Sequence, residues 1–395
     1  MEPKMNWKLN TMPKGDGNEL EIMALENVAK ARAFHESFPQ YSVTPLAKLD
    51  KMAEYLGLDT LCIKDESYRF GLNAFKVLGG SFAMAKYIAK ELGRDVSEMT
   101  YDYLTSDALK EEFGQATFCT ATDGNHGRGV AWSARLLGHK SVVYMPKGSA
   151  PERLENIRAQ GAQAEITEFN YDDAVRLANR QAQEKGWVLV QDTAWPGYEE
   201  IPAHIMQGYT TLAQEIAQQL DGQIPTHLFL QAGVGSFAGA ALGYFAALWG
   251  DQRPVTVIME PDKADCIFRS AKADDGKLRF VTGDMDSMMA GLCCGEPCTI
   301  SWEILDSYAD AFVSCGDHYS AQGMRLLGRA EGEDTPVISG ESGAVGAGVL
   351  QAIMQEERLA ELRGQLGLDE NSRVLLISTE GDTDRENYRR ILEQE

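Results

Sequence analysis

The sequence predicts an α/β protein with two domains and mostly parallel, open sheets. Short β-branched apolar runs alternate with helical stretches, and glycines separate many of them. Such alternation is typical of parallel strands joined by right-handed crossovers. The chain has 395 residues, which is more than one hydrophobic core usually serves, so two domains are the first expectation.

The predicted strands and helices follow one another in chain order. Each strand is a short buried run, and each helix has apolar residues at helical spacing. Gly161 stands where a glycine commonly ends a helix. The predicted strands are residues 141–145, 164–167, 228–230, 255–259 and 374–378, and the predicted helices are residues 153–160 and 237–248.

Composition and charge exclude several classes of function. A net charge of −22 repels nucleic acids and anionic membranes. The first residues lack the apolar core of a signal peptide, and the most apolar stretches, residues 237–250 and 343–354, are too short to span a bilayer. Seven cysteines are an odd number, which does not indicate a secreted disulfide framework. We expect a cytoplasmic protein that binds neither nucleic acid nor membrane.

Lys76 is the first candidate for chemistry. It lies between Phe75 and Val77, where a helical run begins. Apolar neighbours remove water from a lysine amine, which lowers its pKa and favours the nucleophilic form. The alternative is a lysine that reaches solvent from the first turn of a helix, which is the commoner role for this residue type.

Polar groups stand at three turns that follow predicted strands. Asp123 and Asn125 bring a carboxylate and an amide to a glycine-rich turn, whose plain alternative is a strand-to-helix connection. Residues 233–236 join a strand to a helix, where free N–H groups and the helix dipole favour a phosphate. Ser378 and Thr379 end a buried strand, where open α/β sheets bind ligands, although a helix N-cap pair is the alternative.

A dinucleotide-binding fold is the rival interpretation of the turn at residues 233–236. Glu260 ends the next strand, near the interval at which such a fold has the acid that binds the ribose. The spacing of Gly233, Gly235 and Gly239 is G-x-G-x-x-x-G, however, and the fingerprint is G-x-G-x-x-G. The rival is disfavoured but open, and it predicts a nucleotide-binding oxidoreductase.

The cysteines do not predict a metal site. Cys294, Cys298, Cys315 and His318 have spacings that zinc tolerates, yet the chain has no C-x-x-C pair. We therefore expect no metal and mostly free, buried thiols. A disulfide from Cys266 to Cys294, or to the cysteine before it, is left open.

Taken together and in this order, the motifs resemble the tryptophan-synthase-β/threonine-dehydratase superfamily, fold type II of the pyridoxal 5′-phosphate enzymes. The resemblance covers roughly residues 40–390. Within the superfamily, ATDGNHGRG, QDTAWPGYEEIP, GESGAVGAG and STEGDTD are similar to the diaminopropionate ammonia-lyase family. The resemblance implies a large cofactor domain from residues 1–89 and 201–395. It implies a smaller α/β domain, residues 90–200, that closes over the substrate.

The resemblance also implies a role for each candidate residue. Lys76 would carry pyridoxal 5′-phosphate as a Schiff base and act as the base at the substrate's Cα. Asp123 would hold the β-ammonium or remove the α-proton from the face opposite Lys76. Asp192 is the second acid, with a capping or loop aspartate as its alternative. The cofactor would contact Asn125 at its phenolic oxygen, Gly233, Val234, Gly235 and Ser236 at its phosphate, Ser378 or Thr379 at its pyridine nitrogen, and Glu341 near its ring.

The activity implied by the resemblance is an α,β-elimination. A neutral hydroxyl opposite the pyridine nitrogen weakens the electron sink, which favours loss of the β-substituent over transamination. The expected substrate is 2,3-diaminopropionate, D and L, which would give pyruvate and two ammonia through an aminoacrylate. A serine or threonine dehydratase of the same superfamily is the alternative. A homodimer is the expected assembly.

Overall fold

The chain folds around two β-sheets, described by a computed structural model for residues 4–122 and 124–394. Short apolar runs form the strands, and most of them are flanked by helices. Within the described ranges the strands are β1 Met5–Leu9, β2 Leu46–Lys48, β3 Thr60–Asp65, β4 Thr117–Ala121, β5 Lys140–Met145, β6 Gln163–Ile166, β7 Val188–Leu189, β8 His227–Gln231, β9 Val255–Pro261, β10 Ala311–Cys315 and β11 Arg373–Ser378.

Helices cover the sheets and connect their strands. Short 3-10 turns lie between several of them. The helices of the same ranges are α1 Leu25–Glu36, α2 Asp50–Leu56, α3 Val77–Leu92, α4 Tyr101–Leu104, α5 Asp107–Glu112, α6 Asn125–Leu136, α7 Pro151–Arg158, α8 Tyr171–Lys185, α9 Glu200–Gln219, α10 Ser236–Trp249, α11 Cys266–Ala273, α12 Thr299–Tyr308, α13 Asp317–Arg329, α14 Val345–Gln355, α15 Ala360–Leu366 and α16 Arg385–Glu393.

The larger sheet has seven strands in the order β1-β10-β9-β8-β11-β3-β2. Its five inner strands are parallel, and the two edge strands, β1 and β2, are antiparallel to their neighbours. The last strand, β11, lies between β8 and β3, so Leu375 is beside both Leu228 and Cys62. Parallel strands covered on both faces are continuously apolar, and residues 374–377 of β11 are buried.

The smaller sheet has four parallel strands in the order β6-β5-β4-β7. All of them fall between Thr117 and Leu189. The predicted α/β class with mostly parallel sheets is therefore confirmed. Among the described helices, none combines the length and apolar character that crossing a bilayer demands.

The predicted strands overlap the observed ones, and one helix boundary was wrong. The helix expected at residues 153–160 is α7, which begins earlier because Pro151 has the backbone angle that suits a first helical turn. It ends at Arg158, and its cap residue is Ala159. Gly161 has a φ of 88° in the turn that follows, so it redirects the chain toward β6 and does not cap the helix.

Two glycines allow close packing around the helix that follows Lys76. A Cβ added at Gly129 of α6 would lie 2.8 Å from the Cα of Val77. A Cβ added at Gly208 of α9 would lie 2.4 Å from the backbone oxygen of Leu78. The first turn of α3 is thus packed closely between α6 and α9. This packing fixes the backbone from which the Lys76 side chain extends.

Candidate active site

A cleft of about 640 Å³ opens where β4, β8 and β11 end and where α6 and α10 begin. Ligands of open α/β sheets bind at such carboxyl ends. Most of the residues predicted for the site meet here, although they are far apart in sequence. The predicted residues that line the cleft are Lys76, Asn125, Asp192, Gly233, Val234, Gly235, Ser236 and Thr379.

Lys76 extends into the cleft from the residue before α3. Its Nζ lies 5.7 Å from the ring centre of Phe75 and 5.9 Å from that of Tyr209. The amine also donates a hydrogen bond to Asp192 Oδ2 at 2.5 Å. The environment is therefore less apolar than the neighbours in sequence suggest, because a buried carboxylate faces the amine.

Asp192 is the central acid of the cleft and is 3% exposed. Tyr171 Oη and Gln191 Nε2 donate to its Oδ1, each at 3.3 Å. Burial raises the pKa of this carboxyl, but the charge of Lys76 and the hydrogen bonds from Lys76 and Tyr171 hold its pKa well below the usual range. Asp192 is an ionised acceptor at neutral pH. The alternative of a helix-capping residue does not apply.

His126 lies beside this acid in its neutral form. Burial lowers its pKa. Its Nε2 is 2.7 Å from the backbone oxygen of Val190, and a carbonyl only accepts, so Nε2 is assigned the proton. Nδ1 is then a bare acceptor 3.9 Å from Asp192 Oδ2.

Residues 233–236 form a cradle of backbone N–H groups at the start of α10. Cys298 N donates to the backbone oxygen of Val234 at 2.8 Å, and Ser301 Oγ donates to that of Gly235 at 2.7 Å. The N–H groups of the first turn find no acceptor within their own helix. Ser236 Oγ donates to the backbone oxygen of Asp192 at 2.5 Å, which joins the cradle to the acid.

Glu260, the acid that the dinucleotide interpretation assigns to the ribose, has a different role in the structure. Both oxygens of Glu260 are bound to the start of α11, where they accept the N–H groups of Ile267 at 2.9 Å and Phe268 at 2.6 Å. The carboxyl is 1% exposed and does not line the cleft. Glu260 is a structural cap, so nothing remains of the ribose-binding pattern.

The strand end at β11 presents one of the two predicted hydroxyls. Thr379 lines the cleft, and its Oγ1 accepts a hydrogen bond from Gln231 Nε2 at 3.0 Å. Ser378 does not line the cleft, because its Oγ points to Ser339 Oγ at 2.8 Å. Side chains alternate along a strand, which sends neighbouring hydroxyls to opposite sides.

Glu341 also lies outside the cleft lining. Its Oε1 accepts a hydrogen bond from Asn387 Nδ2 at 2.5 Å, and it faces a neighbouring cavity. Ser342, the next residue, lines the cleft instead. The predicted contact of Glu341 with the cofactor ring therefore has no counterpart in this lining. Asp123 lies outside the described residues, so its role stays a prediction.

Several lining residues were missed by sequence reasoning. Tyr171 is a single polar residue at the start of α8, and only the fold brings it to the cleft, whereas Gln231 ends β8 two residues before the predicted turn at residues 233–236. Glu380 was within reach, because it directly follows Thr379 in STEGDTD. It is 1% exposed and lines the cleft, and its Oε2 accepts a hydrogen bond from Asn125 Nδ2 at 2.5 Å.

The cysteines form no disulfides. All seven lie in the described residues, and the bond left open for Cys266 is not formed. Cys266 Sγ donates instead to Glu260 Oε1 at 3.6 Å. Over residues 4–122 and 124–394, no three His, Cys, Asp or Glu side chains converge as a metal site would require.

The donors of the cleft fit pyridoxal 5′-phosphate. Lys76 offers an amine for the aldehyde, and residues 233–236 offer N–H groups for a dianionic phosphate. Asn125 offers an amide to the phenolic oxygen, and Thr379 offers a hydroxyl to the ring nitrogen. The fit at the cradle depends on Gly235, whose φ is 100° and whose added Cβ would lie 2.9 Å from Ile267 Cδ1.

Comparison with known proteins points the same way. A diaminopropionate ammonia-lyase of Salmonella typhimurium is 51% identical over 398 residues, covering 99% of this chain and 98% of that protein. One from Escherichia coli strain K12 is 48% identical over 379 residues, covering 95% and 94%. A crystal structure of the E. coli enzyme with an aminoacrylate-PLP azomethine reaction intermediate matches with a TM-score of 0.91 and 45% identity, over 99% of this chain and 97% of that one.

The family pattern extends over most of the molecule. The model of the pyridoxal-phosphate dependent enzyme family matches residues 38–380, a span that contains Lys76, the cradle and the end of β11. The Salmonella and E. coli relatives are about half identical to this chain along almost its full length, which narrows the family assignment further. This chain therefore belongs to the pyridoxal-phosphate dependent enzymes, within the diaminopropionate ammonia-lyase family.

Proposed function

We propose that this chain eliminates ammonia from D- and L-2,3-diaminopropionate, and that the aminoacrylate released is hydrolysed to pyruvate and a second ammonia. The observation that carries the proposal is the pairing of Lys76 Nζ with the buried Asp192 carboxylate, 2.5 Å apart, beside a cradle for phosphate. The names of the Salmonella and E. coli relatives support the substrate. The intermediate in the E. coli structure supports elimination.

Proton transfer at Cα is assigned to Lys76 and the acids. Pyridoxal phosphate, when bound, supplies the electron sink that makes the Cα proton acidic. Lys76 takes that proton on one face, and Asp123 serves the opposite face or holds the β-ammonium. In the cleft the Lys76 ammonium holds the pKa of Asp192 low, and we assign to this carboxylate the orientation of cationic amines.

The contacts with the cofactor are assigned to residues that line the cleft. Asn125 is assigned to the phenolic oxygen, residues 233–236 to the phosphate and Thr379 to the ring nitrogen. Ser378 is given no contact with the cofactor, because its hydroxyl is bonded to Ser339. Glu341 is given no contact with the ring.

The assembly and the domains are proposed with this function. Residues 90–200, which carry the four-stranded sheet, form the domain that closes over the substrate against residues 1–89 and 201–395. The chain acts as a homodimer in the cytoplasm, where its seven cysteines, none of them in a disulfide, stay reduced. Light scattering of the purified holoenzyme tests the dimer, and a monomer mass would contradict it.

The test of the function is a pyruvate assay on the purified holoenzyme with D-diaminopropionate, L-diaminopropionate and L-serine in parallel. We expect pyruvate from both diaminopropionate isomers and much less from serine. Lys76→Ala should lose both pyruvate formation and the visible absorbance of the bound cofactor. A preference for serine would support the dehydratase alternative instead of the proposal. A wild-type protein without visible absorbance would refute the proposal.

A further inference from the structure

We infer that Glu380 is a positioning residue that sets the orientation of the Asn125 amide toward the cofactor. The inference rests on the proposed function, because it assigns Asn125 to a pyridoxal phosphate. Glu380 is one of the lining residues to which the proposed function gives no task. Its carboxylate is buried, and its contacts are directed at the cofactor side of the cleft.

Both oxygens of Glu380 are bound to groups that surround the cofactor site. Oε2 accepts from Asn125 Nδ2 at 2.5 Å and from Thr383 Oγ1 at 3.2 Å. Oε1 accepts the backbone N–H of Ser342 at 3.0 Å. Charge-assisted hydrogen bonds of this kind are stronger than neutral ones, so the carboxylate is a firm anchor for the amide.

The backbone of Glu380 is itself fixed to the segment that carries Lys76. Glu380 forms an antiparallel bridge with Ala74. Gly381 N donates to the backbone oxygen of Asn73 at 3.0 Å, and Phe75 N donates to that of Thr379 at 3.2 Å. The residue therefore connects the lysine segment with Asn125, the first residue of α6.

A carboxylate selects one orientation of the amide because it only accepts hydrogen bonds. It binds the NH₂ end of Asn125 and repels the carbonyl end. The second N–H of the same nitrogen remains for an acceptor in the cleft, such as the phenolic oxygen of the cofactor. A glutamine at 380 can donate or accept, so it would tolerate either orientation and the selection would be lost.

The test is a double-mutant cycle on cofactor affinity. Apoprotein of wild type, Glu380→Gln, Asn125→Ala and the double variant is titrated with pyridoxal phosphate, and Kd and the pH titration of the visible band are measured. We expect about a tenfold weaker Kd for Glu380→Gln and a shifted band titration. In the Asn125→Ala background the same change should have no effect on either quantity.

Additive losses in the cycle would overturn the inference, because they would mean that Glu380 acts on the cofactor without Asn125. Glu260→Gln is the matched control: it is an equally buried carboxyl that does not line the cleft, and its Kd should equal that of wild type. If Glu380→Gln does not fold, Glu380→Asp, which withdraws the charge from Asn125, replaces it in the cycle. A wild-type apoprotein that binds no pyridoxal phosphate would overturn the proposed function together with the inference.

Discussion

At the scale of single residues, the candidate active-site cleft depends on charges that are buried in pairs. An ionised carboxylate out of water is tolerated only with a partner, and Asp192 has Lys76 at 2.5 Å. Burial likewise disfavours a charged imidazole, so His126 lies beside them in its neutral form. Sequence alone predicted the lysine and the acid as site residues, but their pairing depends on a fold that brings positions 76 and 192 together.

Replacing Asp192 with asparagine tests its role directly. The amide keeps the shape but has no charge with which to orient an amine, so kcat should fall about 100-fold or more while the visible cofactor band remains. Asp172→Asn is the control, because this buried acid lies on α8 outside the lining of the cleft. Wild-type kcat in Asp192→Asn would refute a catalytic role.

A second buried cluster stabilises the fold behind the cleft. Glu215 Oε2 lies 2.6 Å from Lys64 Nζ, and its Oε1 lies 2.8 Å from Arg69 Nη1. Arg69 also pairs with Glu66 at 2.8 Å. All four side chains are at most 1% exposed. Burial raises the pKa of Glu215, but its partners bring that pKa down to about 2.

Glu215→Gln should therefore lower the free energy of unfolding by about 3–5 kcal/mol, because two buried cations lose their shared partner. Urea unfolding of the variant and wild type measures the difference. The exposed pair of Lys51 and Glu54 offers a control, since Glu54→Gln should change stability by less than about 0.5 kcal/mol. Equal midpoints for Glu215→Gln and wild type would show that the cluster is dispensable.

At the scale of elements, strands were predicted more accurately than helix ends. Residues 228–230 and 374–378 were assigned correctly because a buried parallel strand is apolar throughout. The end of α7 was predicted incorrectly, because Gly161 lies in the turn after the helix. In the sequence alone, a glycine in such a turn cannot be told from a glycine that caps a helix. The alternation of Ser378 and Thr379 decided which hydroxyl faces the cleft, and the sequence left that choice open.

The cradle at α10 gives a test at this scale. Gly235→Ala should weaken the Kd for pyridoxal phosphate at least about tenfold, because φ is positive there and the new Cβ would meet Ile267. Gly364→Ala, in α15 with nothing near its added Cβ, should leave that Kd unchanged. Fluorescence titration of the apoproteins gives both values, and an unchanged Kd for Gly235→Ala would exclude the cradle as the phosphate site.

At the scale of the whole molecule, buried histidines link stability to pH. Burial lowers the pKa of His35 to about 3 and that of His204 to about 4, and it lowers those of His126, His139 and His227 as well. Each folded histidine stays neutral, whereas the unfolded chain takes up protons below its ordinary pKa of 6.5. Stability is therefore complete above that pH and is lost as the pH falls below it.

His35→Asn isolates one of these contributions. The titration of His35 alone should lower the free energy of unfolding of the wild type by about 2 kcal/mol between pH 7 and pH 5. In the variant, the decrease over the same interval should be smaller by about this amount. Urea unfolding at the two pH values measures it, with exposed His318→Asn as the control. An identical pH dependence in His35→Asn and wild type would contradict the assignment.

Much of the cleft lining was predictable because its polar groups lie in short motifs at strand ends and before helices. Lys76, Asn125, residues 233–236 and Thr379 were predicted from such motifs and line the cleft, while their roles stay predictions. Glu380 was not recognised as a lining residue, and Glu341 faces a neighbouring cavity. In both cases the side chain's direction is set by partners distant in sequence, Asn125 for the first and Asn387 for the second.

The position of β11 has a consequence for synthesis of the protein on the ribosome. This strand, the last of the described strands, lies inside the larger sheet between β8 and β3. The segment after it contacts the lysine segment through a hydrogen bond between Asn73 and Asp382, which are 309 positions apart. A nascent chain that has already exposed Lys76 therefore still lacks the groups that complete the cleft until β11 has been made. A premature stop before β11 would leave a polypeptide that has Lys76 but no complete cleft.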